Sequence, residues 1–159
     1  MDTATPPAPP GMAPRWSLTA PDRLRTAHPH LPEELDVLRQ DLKARWVWIL
    51  GRDGLHLASS GEPAQEQLEQ ASAVMHGLWG GCTEAGRVAQ RGDPELLMLR
   101  SSQECLLVVE VNATAMLAAL LPERSPSPYA AYTMAQFAAQ HTDVRATHER
   151  PAVRAGGLR

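Results

Sequence analysis

Trp46-Val47-Trp48-Ile49-Leu50-Gly51-Arg52-Asp53-Gly54-Leu55-His56-Leu57-Ala58-Ser59-Ser60-Gly61 is the stretch from which the fold can be read. Trp46 to Leu50 is short, aromatic and β-branched, which predicts a strand. Gly51-Arg52-Asp53-Gly54 places two glycines around an aspartate, the composition of a tight reversal with positive φ. Leu55 to Ser59 then reads as the returning strand, so the stretch is a β-hairpin.

Upstream of the hairpin, Pro32-Glu33-Glu34 puts a proline and two acids in a first helical turn, where they suit the helix dipole. Leu31, Leu35, Leu38 and Leu42 follow at spacings of four, three and four, giving one apolar stripe on a helix. Eight of the 14 prolines fall in the first 32 residues. Proline removes backbone donors and blocks helix, so residues 1–30 are expected to be a flexible proline-rich arm. Trp16 is the one large anchor of that arm. His28 and His30 flank Pro29, a weak metal signal without cysteine or carboxylate companions.

Downstream, Pro63 opens the longest helical segment. Leu68, Ala71, Met75, Leu78 and Cys82 repeat at three and four and predict its buried face, which Val74 and Ala85 widen. Gly77, Gly80, Gly81 and Gly86 are unusual there, because glycine costs ~1 kcal/mol relative to alanine in a helix interior. Either the helix ends near Gly80 or the glycines admit another backbone at close range. Glu95 to Arg100, Cys105 to Val111 and Ala115 to Leu121 read as three strands, the last weak in propensity because of its alanines. Tyr129 to Gln140 reads as a final helix, and 141–159 as a flexible tail. The expected fold is α+β, a five-stranded antiparallel sheet flanked by helices in the order α-β-β-α-β-β-β-α. Its domain runs from 31 to 140.

The composition suits one such domain: 43% of the 159 residues are hydrophobic and 21% charged. A net charge of −3 and a pI near 6.0 argue against a nucleic-acid partner, which calls for a basic surface. Aromatics at 4% are too few for a base-stacking platform. No run approaches ~18 consecutive apolar residues, so no membrane span is expected. The first residues lack a basic start and apolar run, and Cys82 and Cys105 read as free buried thiols in a reducing compartment. The expected location is cytoplasmic.

The hairpin, the long helix after a short polar loop, and the late apolar pair Cys105 to Val111 and Ala115 to Leu121 together resemble the Roadblock / dynein light chain family. The likeness is to its MglB-like bacterial members and spans residues 32–140. The Gly80-Gly81 pair departs from that family's alanine- and leucine-rich long helix. The resemblance implies a profilin-like sandwich and a homodimer, with the long helices packed together and the third strands paired across a two-fold axis. On that reading Met75, Leu78, Trp79, Leu96, Leu97, Met98 and Leu99 form the dimer interface. It also implies a protein-binding role, with a small Ras-like GTPase as one class of partner, regulated without a catalytic residue from this chain.

Trp79, near Ser72 and His76, is either a partner hot spot on the long helix or part of the dimer or protomer core. The partner surface would then comprise Ser72, His76 and Trp79. Arg87 and Arg91 complement a helix C-terminus, with no further feature of an arginine finger. Asp53, His56 and Ser59-Ser60 cannot reach triad geometry on one short hairpin. Neither glycine pair matches a phosphate loop, so no cofactor is expected and the chain is not read as an enzyme. The alternatives to a GTPase regulator are a light-chain-like structural adaptor and a small-molecule sensor of PAS- or GAF-like fold.

Overall fold

The structure, a computed structural model, describes residues 20–61, 63–122 and 128–145. Its elements are α1 (Ala20–Ala27), α2 (Leu31–Leu42), β1 (Trp46–Gly51), β2 (His56–Gly61), α3 (Gln65–Val88), β3 (Leu96–Arg100), β4 (Cys105–Asn112), β5 (Ala115–Leu121) and α4 (Pro128–Gln140). The expected order holds from α2 onward. The strands form one antiparallel sheet in the order β2-β1-β5-β4-β3.

The hairpin closes as its residues dictate. Gly54 takes φ 84°. Asp53 Oδ1 accepts the Leu55 N–H at 3.1 Å, and the Gly51 N–H donates to the Leu55 carbonyl at 2.8 Å. Asp53 is therefore a turn residue. A Cβ on Gly54 would lie 3.1 Å from the His76 Cβ, so the tip rests on α3 and leaves little room for a side chain.

β5 lies in the middle of the sheet, although its alanines weaken it as an isolated strand. Ala115, Ala118 and Ala119 are fully buried, because both faces of the sheet are covered and small side chains let the covering helices come close. On one face, Val47, Ile49, Leu107, Leu117 and Ala119 pack with the α2 leucines, Leu24 of α1, and Met134 and Phe137 of α4. On the other, Trp48, Leu50, Val108, Met116 and Ala118 pack with Leu68, Met75 and Trp79 of α3. Among the described residues, three helices thus cover one face and a single helix the other.

Two segments differ from the expectation. The proline-rich arm predicted for 1–30 gives way to α1 at Ala20. Pro21 stands in its first turn, where a missing N–H costs nothing, and Leu24 is buried against the core. The expected tail begins late as well. Val144 is fully buried, and the Asn112 side-chain amide donates to the Thr142 carbonyl at 3.1 Å and to that of Val144. Trp16 and the rest of the arm, and the tail beyond 145, lie outside the described residues. No helix among the described residues is long and apolar enough to cross a membrane.

Candidate functional site

The two edges of the sheet are treated differently. α1 and α2 pack against β2, whereas the principal neighbour of β3 is β4 alone. The register places Leu97 opposite Val108 and Leu99 opposite Leu106, on the α3 side of the sheet. Leu96 and Met98 stand opposite Val109 and Leu107, on the other side. Leu96, Met98 and Leu99 are 42%, 43% and 41% exposed, and Leu97 is half-buried. Among the described residues no strand pairs with the outer edge of β3, and an apolar edge of this kind is a template for another strand.

A further apolar row leads to that edge. Trp46, Leu120, Leu106 and Leu99 face one another across β1, β5, β4 and β3. The first three are only half-buried, packed at the margin of the cluster that α3 covers. Trp46 meets Trp48 edge-to-face at 6.2 Å.

α3 runs unbroken through Gly77, Gly80 and Gly81 to Val88, so the glycine pair does not end it. A Cβ added at any of those three would meet nothing within 4 Å. Gly86 is different, since a Cβ there would collide with the Gly92 carbonyl oxygen of the turn that follows the helix. The line turned to the sheet is Leu68, Ser72, Met75 and Trp79. This corrects the predicted face, in which Ala71, Leu78 and Cys82 took the places of Ser72 and Trp79. Those three are half-buried, and Val74 and Val88 are 58% and 69% exposed.

The correction bears on the expected partner surface. Ser72 is fully buried and Trp79 is 2% exposed, so neither is presented on the protomer surface; His76 is exposed. Trp79 sits beneath the Arg52 guanidinium, 5.4 Å from its ring centre. Arg52 is in turn held by Glu110 at 2.9 Å. Among the described residues, the Ser72 hydroxyl and the Trp48 indole N–H find no hydrogen-bond partner under α3. Met75 is 5% exposed and belongs to the same protomer core. Of the residues assigned to a dimer interface, Leu78 and Leu96 to Leu99 retain exposed surface.

The remaining polar groups of the described residues engage one another locally. His56 stands 3.4 Å from Gln65, and burial pushes its imidazole below the ordinary value, opposed by Glu69. Asp36 is held below the usual carboxylate range, chiefly by the Ser60 hydroxyl and then by Arg39. Arg87 is engaged by Glu84 on its own helix, at 2.9 Å for its Nε. Among the described residues no group of three or more His, Cys, Asp or Glu could hold a metal ion.

Residues 32–121 match the Roadblock/LC7 domain, a span of more than half the chain. The chain belongs to the Roadblock/LC7 family. No curated protein matches it significantly in sequence. Among solved structures, MglB of Myxococcus xanthus is similar with a TM-score of 0.66 and 12% identity, over 72% of this chain and 93% of that one. A Roadblock/LC7 domain from Streptomyces avermitilis has a TM-score of 0.58 and 23% identity, over 65% and 91%. Profilin IB of Acanthamoeba castellanii has a TM-score of 0.51 and 17% identity, over 70% and 95%. The Roadblock/LC7 protein thus carries the profilin-like sandwich that the resemblance implies.

Proposed function

We propose that this Roadblock/LC7 protein is a non-catalytic, cytoplasmic, homodimeric binding module that regulates or scaffolds a small Ras-like GTPase. The observation that carries the dimer is the bare edge of β3, apolar on both faces and continuous with the row Trp46, Leu120, Leu106 and Leu99. Pairing β3 with its copy about a two-fold axis would join two sheets into one and bring the outer faces of two α3 helices together. Val74, Leu78 and Val88 would then be covered, and the open space at Gly77, Gly80 and Gly81 would let the helices cross closely. Met75 and Trp79 would support that contact from within each protomer.

The GTPase part rests on family membership and on the likeness to MglB. Such a module would act on its partner's geometry, and the partner would supply the chemistry. A sensor role is weakened because side chains fill both faces of the sheet; Val47, Ile49, Leu107 and Leu117 have no exposed surface. The test is capture from native lysate by the immobilised full chain, with and without a non-hydrolysable GTP analogue, read by mass spectrometry. A small GTPase retained only with the analogue supports regulation. A partner set without any GTPase in either condition overturns that reading in favour of the adaptor.

A further inference from the structure

On the sheet face opposite α3, α2 and α4 leave an open groove of about 420 Å³ between them. Leu38 and Phe137 form its floor and are nearly buried, while Val37 stands on its wall 66% exposed. Every acid or base that lines it and carries a formal charge at neutral pH is a carboxylate: Glu33, Glu34 and Asp41. α4, Pro128 to Gln140, contributes no charged side chain. Arg39 of α2 is turned away, its Nε donating to the Ser60 hydroxyl at 2.8 Å. The other titratable residues at the groove are His30 and His141. His141 stacks on Phe137 with ring centres 3.9 Å apart and bridges to Glu34.

Glu33, Val37 and Asp41 are spaced by four and four. They therefore lie along one line of α2, with the two carboxylates about 12 Å apart along the axis. Tyr129 donates to Asp41 at 3.1 Å and holds that carboxylate at the groove's end. The line reads anion, apolar, anion. Its complement is a cation, an apolar side chain and a second cation at matching helical intervals.

We propose that the α2–α4 groove is a docking site for a cationic amphipathic helix of a partner protein. The apolar stripe of that helix covers Val37, and its Lys or Arg side chains reach Glu33 and Asp41. A helix is the fitting occupant because the groove is formed by two helices and offers no strand edge. The site lies across the sheet from α3 and does not depend on the dimer.

The test uses the full chain and a fluorescein-labelled peptide in which lysines flank a leucine at helical spacings of four and four. A second peptide carries glutamate in place of every lysine. Anisotropy titrations should show saturable binding of the lysine peptide, weakened about tenfold or more by high salt, and no comparable binding of the glutamate peptide. The pair Glu33→Lys and Val37→Asp should abolish the interaction. Both side chains are exposed, so a thermal melt should show the fold intact. Glu66→Lys, on α3, should leave binding unchanged. Equal binding of the two peptides, unchanged binding to the groove variant, or equal loss in the α3 variant would each overturn the proposal.

Discussion

Trp79 and Ser72 show what a side chain's direction decides. With Trp79 2% exposed against the sheet, Trp79→Ala should destabilise the protomer by about 3–5 kcal/mol in urea unfolding, the cost of a large buried cavity. A stability loss near zero together with weakened partner binding would return Trp79 to the surface. Ser72→Ala should be neutral or stabilising, because it removes a buried hydroxyl that has no partner. His56 gives a pH signature. Burial lowers its folded value below the ordinary 6.5, so on acidification the unfolded chain takes up the proton first. The stability it contributes is complete above the ordinary value and is lost as pH falls through that value and then through the lowered one. His56→Gln should flatten this part of the urea-midpoint profile below about pH 6.5; an unchanged profile would contradict it. These directions were not legible in the sequence. α3 carries apolar residues on two faces, and Leu78, Cys82 and Ala71 gave as good a periodicity as Ser72 and Trp79.

That ambiguity has a meaning at the scale of elements. A helix that buries one line against its own sheet and still exposes Val74 and Val88 has a second apolar face to cover. The edges of the sheet say the same, since helices pack against β2 and none extensively against β3. Met98→Asp should therefore yield a monomer on a sizing column that still unfolds cooperatively, as Met98 is 43% exposed. A dimer that survives this change would move the seam elsewhere. Gly80→Ala separates the two roles of the glycines. In the Met98→Asp background it should raise stability by up to about 1 kcal/mol, since its Cβ would meet nothing within 4 Å. In the otherwise natural chain it should weaken the dimer if a second α3 crosses there. Most elements were legible: α2 runs over its four leucines, and the hairpin turns on Asp53-Gly54. α1 was not, because the proline density around it hid a short helix whose one strong apolar anchor is Leu24.

For the whole molecule, the order of elements implies the antiparallel sheet, and that order together with the Trp46–Gly61 hairpin carries the resemblance to the Roadblock/LC7 family. The β3 seam comes from the family resemblance, and the exposure of Leu96, Met98 and Leu99 makes it testable. The α2–α4 groove could not be inferred, because Glu33, Val37 and Asp41 read alone as the solvated face of a helix, and only the placement of α4 makes them one wall of a cleft. The groove lies between α2 and α4 and the seam at the β3 edge, so a β3-paired dimer could still present two separate grooves. The central claim is that the β3 edge is closed by a second copy of the chain. Light scattering on the purified protein tests it most directly: the account predicts a particle of twice the 17.3 kDa chain mass, reduced to a single chain by Met98→Asp, whereas a natural chain that remains monomeric at micromolar concentration would contradict it.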